Sequence, residues 1–289
     1  MAINRAAAEA AIRAQFNALE RQNPDQFCAH IHPAVTATFG AVTWQGIDEV
    51  CAAMQEQMFN YTALQLRIVR LLVDVEQQAA GVYWIQRSVT VAHGDCVETQ
   101  GGTIIEFDNQ LRMRHFHFYL DTIRRRIITG INEPWPEVGW SPARDSGQPP
   151  SRAAARQIIH AHARAWSSHE LAQLRAVFHD EICVCPPWDF QQGWPDVARA
   201  AEIYFANYTD THVTPRRVLF DSAQPNFGFC EQTFACTNPD TGRRGADEDL
   251  AFFEIAQGKL RYWRTWFDTS SSVQSRQKTA GHILKGLNE

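Results

Sequence analysis

The stretch RMRHFHFYLD at 112–121 returns as KLRYWRTWFD at 259–268, 147 residues further on, with its third and last residues kept. The same interval separates Gln45-Gly46 from Gln192-Gly193, Asn60-Tyr61-Thr62 from Asn207-Tyr208-Thr209, Asp74 from Asp221, Gly81 from Gly228 and Asp121 from Asp268. A fixed interval of this length means that one unit of about 120 residues is written twice. Two copies make two domains rather than a solenoid, and a hydrophobic fraction of 45% supplies each with a core. The expected divisions are a first domain at 1–130, a linker at 131–150 with prolines at 134, 136, 142, 149 and 150, a second domain at 151–272 and a tail at 273–289. Trp135 and Trp140 are expected to dock the linker.

Both copies show the same order of periodicities. Helical spacing runs over 6–22 and 151–169, a short helix and first strand follow at 24–39 and 171–186, and a Gln-Gly turn opens a third helix at 47–59 and 194–206. Strands are then expected near 63–74, 80–92, 96–107 and 112–121, and near 211–221, 227–237, 246–256 and 259–268. Helices grouped early and antiparallel strands late predict an α+β fold with helices against one face of a curved sheet.

Charge narrows the partners. With 27 Lys and Arg against 32 Asp and Glu the net charge is -5, and Arg124, Arg125 and Arg126 form the sole basic cluster, so nucleic acid is not expected. No stretch of about 18 apolar residues is present, so no membrane span is expected. The Ala-rich start MAINRAAAEAAIRAQF has its apolar residues at helical spacing and is expected to be the first helix, not a targeting segment. Seven cysteines without regular spacing predict reduced thiols and a cytoplasmic protein. Cys183 and Cys185 are expected to be small buried side chains, with a metal or redox pair as the alternative. Phosphate-binding glycine loops, nucleophile elbows and zinc-peptidase motifs are missing from the sequence, so no cofactor and no metal are expected.

The element order, the WQG and QQG before the third helix, and a last strand that follows GKL and closes on Asp resemble the SnoaL-like polyketide cyclases of the nuclear transport factor 2-like superfamily. The resemblance covers both copies and implies tandem cone-shaped α+β barrels, each with a pocket between helices and a bent sheet. It also implies that the other sheet face makes dimers, so the two copies are expected to pair as an intrachain pseudo-dimer, with further homo-oligomer formation open. Cyclases of this kind often carry a His-x-Asp pair on the last strand. Those positions are here Phe116 and Phe118 in the first copy and Trp263 and Thr265 in the second, so the pair is lost and cyclase chemistry by that route is in doubt.

The same resemblance sets the expected register of the last strand. Arg114, Phe116, Phe118 and Leu120 are expected to face the first pocket, and Arg261, Trp263, Thr265 and Phe267 the second. His115, His117, Tyr119 and Asp121, with Tyr262, Arg264, Trp266 and Asp268, are expected on the outer face. There His115, His117 and Asp121 are read as an interface, with proton transfer or metal binding as alternatives.

A tight turn at Gln257-Gly258 is expected to set Glu254 against Arg261, inward with Leu250 and Phe252. This pair is the expected acid–base candidate in the second copy, or else a salt bridge holding the hairpin. At the repeat interval Phe107 answers to Glu254, which leaves Arg114 without that partner. Tyr61 and Tyr208, at the ends of the third helices, and Trp188, beside Asp189 in a rim loop, are further expected pocket residues. Asp247, Glu248 and Asp249 read as a solvated strand start. Two functions of different kinds follow: a cofactor-independent lyase, isomerase, cyclase or hydrolase acting on an apolar or aromatic small molecule, or a non-catalytic binding or assembly module.

Overall fold

A computed structural model describes residues 3–39, 42–120, 126–136, 147–186, 190–237 and 242–267. Among the sequence-derived candidates, Asp121, Trp188, Asp189 and Asp268 lie outside these residues, as do Arg124, Arg125, Trp140 and the tail. The chain divides into two compact units, Met1–Pro136 and Glu137–Glu289.

The first unit opens with α1 (Arg5–Glu20), α2 (Pro24–Cys28), β1 (Ile31–Phe39), β2 (Val42–Gln45) and α3 (Ile47–Phe59). It continues through β3 (Tyr61–Asp74), β4 (Ala79–Thr90), β5 (Cys96–Phe107), β6 (Met113–Leu120) and the short β7 (Arg126–Ile127). Asn4 caps α1 by accepting a 3.0 Å hydrogen bond from Ala7 N. The stripe Ala8, Ile12, Gln15 and Phe16 then points at the sheet, at the three- and four-residue spacing of a helix face. Strand order is β2-β1-β6-β5-β4-β3, with β7 beside β5.

The second unit repeats the plan with α4 (Arg152–Ser168), α5 (Leu171–Val177), β8 (Phe178–Cys185), β9 (Gln191–Gln192) and α6 (Trp194–Asn207). The strands β10 (His212–Phe220), β11 (Phe227–Thr237), β12 (Arg244–Ala256) and β13 (Lys259–Phe267) complete it, in the order β10-β11-β12-β13-β8-β9. Each core lies on the helix side of its sheet. In the first, Ile12, Phe16, Val50 and Met54 meet Val82, Ile105 and Phe116. In the second, Ile159, Leu174 and Val197 meet Cys230, Phe253 and Trp263.

The sheets are mixed, which corrects the all-antiparallel expectation. β6 runs parallel to β1, setting Ala37 beside Phe116, and β13 runs parallel to β8, setting Val184 beside Trp263. The long connection through the third helix and four strands allows this return. The repeated Gln-Gly motif also gains a reason. Gly46 and Gly193 cap α3 and α6 at φ 84°, ψ 154° and φ 82°, ψ 158°, a region that side chains with a Cβ scarcely enter.

Two further points differ from the sequence reading. Cys28 and Cys51 form a disulfide, because packing of α2 on α3 sets their Cα atoms 6.1 Å apart, so the seven thiols are not all reduced. The linker's Trp135 is docked within the first unit: Arg87, buried between strands, lies 4.3 Å from its ring centroid and donates to Pro134 O at 2.7 Å. The same guanidinium is held by the Glu98 carboxylate at 2.8 Å.

Candidate functional site

The hairpins that close the two sheets decide which side chains face inward. Gln257 and Gly258 take φ 51° and 75°, the two positive values of a tight hairpin turn, and Ile255 pairs with Leu260. The next pair is Glu254 with Tyr262, so Arg261 is an extra residue, a β-bulge. In the first unit Phe107 pairs with Met113 and Glu106 with His115, which makes Arg114 the same bulge. A bulge switches the face on which the following residues lie. Arg261 Nη1 thus sits 3.3 Å from Glu254 Oε2, and Arg114 Nη2 lies 3.0 Å from Glu106 Oε2.

The structure brings Glu254 and Arg261 together, as expected, but on the face of the sheet away from the helices. Ala251, Phe253 and Ile255 belong to the helix-side core, so Glu254, with Leu250 and Phe252, projects from the opposite face of β12. Arg114 does not lose its partner either. Its glutamate is Glu106, because the strand register shifts the correspondence between the copies by one residue across β4 and β5. The counterpart of Gly228 is accordingly Ala80, not Gly81, as each stands opposite the equivalent residue of the preceding strand, Phe220 or Val73.

The other named residues fall into two groups. Phe116 and Phe118 stack at 6.0 Å on the helix side of the first sheet, and Trp263 lies in the second core with Thr265 buried on the same face of the strand. On the outer face His117 Nδ1 and Tyr119 Oη are 2.8 Å apart, and the His115 ring makes an edge contact with His117 at 6.4 Å. Cys183 and Cys185 lie on the outer face of the second sheet, their sulfurs 3.5 Å apart; the neighbouring thiol and burial push the Cys183 pKa up, away from a reactive thiolate. Among the described residues no three His, Cys, Asp or Glu side chains converge on a metal position. Tyr61 opens β3, and its carbonyl accepts from Gln22 Nε2 at 2.6 Å. Tyr208 caps α6 and stacks on Tyr204 at 4.6 Å.

What the second unit holds inside is more polar than its sequence pattern suggested. His162, on the inward stripe of α4, is only 2% exposed, with its ring 4.1 Å from Trp263 and 5.4 Å from Phe178. Its Nε2 accepts a 2.9 Å hydrogen bond from Trp166 Nε1, while Nδ1 is buried without a partner among the described residues. Burial pushes its pKa down to about 3, so the ring is neutral near pH 7. A buried polar atom left unmatched costs about 1–3 kcal/mol, which a protein retains where something else makes the bond.

The strands add to this. Gln232 and Asp249 are direct cross-strand neighbours, both buried, on the same face as Cys230 and Ala251 of the core. Asp249 is therefore not part of a solvated strand start. Alternation along β12 carries it inside, while Glu248 stays exposed. Gln232 Oε1 is buried without a partner among the described residues. Nearby on α6, Tyr204 packs edge-on against Phe234 at 5.8 Å and accepts from Thr211 Oγ1 at 3.3 Å.

The equivalent pair in the first unit is Trp84 and Gly101. There the indole fills the space: a Cβ on Gly101 would stand 2.5 Å from the Trp84 ring, and Trp84 Nε1 donates to Thr103 Oγ1 at 2.8 Å. One copy has closed this part of its interior with an aromatic ring, and the other has furnished it with an amide and a carboxyl group.

The SnoaL-like domain model matches this chain twice, at residues 12–115 and 159–263. The chain belongs to the SnoaL-like family. The two matches cover most of the chain and lie one in each unit, so the chain carries two SnoaL-like domains in tandem. No curated protein matches the chain. Solved structures similar to it include a protein of unknown function with a cystatin-like fold from Methylobium petroleophilum PM1, at 17% identity over 46% of this chain and 86% of that one, TM-score 0.37. TsrD from Streptomyces laurentii is similar at 16% identity over 46% and 98%, TM-score 0.38. A protein with a ketosteroid isomerase-like fold from Catenulispora acidiphila DSM 44928, in complex with trimethylamine, is similar at 13% identity over 41% and 91%, TM-score 0.38.

Proposed function

We propose that the second unit of this SnoaL-like protein binds an apolar or aromatic small molecule between its helices and sheet and acts on it by acid–base chemistry of its own side chains. The observation that carries this is the replacement of the Trp84–Gly101 pair by Gln232 and Asp249, which sets polar groups among rings where the first unit has packed itself shut. An apolar interior with a few placed polar groups is what a small-molecule site requires. Proton transfer needs a group able to give or take a proton inside that interior, and His162 and Asp249 are of that kind. Glu254 and Arg261 do not enter this reading, since both project from the other face and the first unit repeats their pairing through Glu106 and Arg114.

Binding without catalysis is the second reading, favoured by Trp263 and Thr265 standing where related cyclases carry their acid–base pair. A thermal-shift screen with aromatic and alicyclic compounds, followed by a crystal structure of one complex, tests the proposal. A ligand seated among His162, Gln232 and Trp263 is the expected result. Ligands seated only in the first unit would overturn it. Isomerisation, dehydration or hydrolysis of the bound compound, lost in Asp249→Asn, then separates the enzyme from the binding module.

A further inference from the structure

The hydrogen bond between Trp166 and His162 fixes which nitrogen of the imidazole carries its proton. An indole N–H can only donate, so at 2.9 Å from Trp166 Nε1 the Nε2 atom of His162 must present its lone pair. A neutral imidazole has one N–H, and with Nε2 accepting, that hydrogen resides on Nδ1. Burial keeps the ring neutral and so excludes a second proton near pH 7. The donor thus created is buried and has no acceptor among the described residues. The faces of Trp263 and Phe178 hold the ring at 4.1 and 5.4 Å, so it is oriented by packing as well as by the indole.

We propose that His162 is the oxygen-binding donor of this interior: its Nδ1–H donates a hydrogen bond to the carbonyl oxygen of a bound aromatic ketone or ester. The inference rests on the second unit being the binding site and adds the class of ligand. A neutral imidazole N–H suits this task because it donates to an oxygen without bringing a full charge into an apolar interior. His162 is then not the base. Trp166 is a positioning residue, one helical turn away, that selects the tautomer.

Nitrogen-15 NMR of the full-length protein tests the first step without any ligand. The expected result is a protonated Nδ1 and an unprotonated Nε2 for His162, unchanged from pH 8 to pH 5, with the tautomer preference lost in Trp166→Phe. A proton on Nε2 in the wild type would overturn the proposal. The second step uses acetophenone and its hydrocarbon analogue ethylbenzene as probes. Wild type is expected to bind the ketone about 5- to 10-fold more tightly than ethylbenzene, the worth of one neutral hydrogen bond, and His162→Phe to bind the two alike. If both probes bind the second unit with equal affinity in wild type, the site stands and the donor role falls. If neither binds, the reading of the interior as a binding site falls, and this inference with it.

Discussion

Gln15 and His162 occupy the same place on the first helix of the two units, each pointing inward and each 2% exposed. Among the described residues neither Oε1 nor Nε2 of Gln15 has a partner, just as His162 Nδ1 has none. The duplication has thus kept a polar side chain at an interior helix position in both copies, although their chemistry has diverged. In the first unit the amide shares the buried stripe of α1 with Ile12 and Phe16 and has no hydrogen-bond partner among the described residues.

Gln15→Met is therefore expected to raise stability by about 1–3 kcal/mol, since it keeps the shape and removes two unmatched polar atoms. Urea unfolding followed through a first-unit probe measures it. A loss of stability would mean that the amide is satisfied by bound water or ligand in solution.

The neutral state of His162 links stability to pH. Its folded pKa, about 3, lies below the unfolded value of 6.5, so the unfolded chain takes up a proton first as pH falls. Stability contributed by the neutral ring is complete above pH 6.5 and is lost between there and pH 3, by about 1.4 kcal/mol per pH unit. Denaturation midpoints between pH 7 and pH 4.5 should fall in the wild type and fall less in His162→Phe. Equal slopes would show that the ring is protonated, or open to water, in the folded state.

Arg87 and Glu98 form a buried ion pair that also anchors the segment at 131–135. Arg87→Met should cost about 3–5 kcal/mol, because it leaves a buried carboxylate uncompensated, whereas adding Glu98→Leu should recover part of the loss. A double-mutant cycle by chemical denaturation gives the coupling.

At Gly46 and Gly193 the backbone is held where a Cβ is strained, so Gly46→Ala and Gly193→Ala should each cost about 1–3 kcal/mol. Thermal unfolding checks both, and a neutral Gly193→Ala would mean that the turn into α6 relaxes to another conformation.

Cysteine alkylation followed by mass spectrometry addresses the Cys28–Cys51 bond. Unfolding without reductant should expose five reactive thiols, Cys96, Cys183, Cys185, Cys230 and Cys236, and reduction should raise the number to seven. Seven before reduction would show both thiols free in solution.

The duplication, the order of elements and the Gln-Gly turns could be read from the chain, because spacing and periodicity are local properties that survive in one dimension. Two parts of the interior also left a signal there. Ile159, His162, Ala163 and Trp166 follow the helix stripe, and Asp249 alternates in step with Ala251, Phe253 and Ile255. The sides taken by Glu254 and Arg261 left none. Alternation assigns faces only while each residue has one partner, and the bulges at Arg114 and Arg261 insert a residue that reverses the count. The one-residue shift between copies across β4 and β5 is likewise set by how strands pair, not by the interval along the chain. That pairing sets Gln232 beside Asp249, and the reach of the Trp166 indole to His162 fixes the role of one imidazole nitrogen, since contacts between distant segments are chosen by packing in three dimensions.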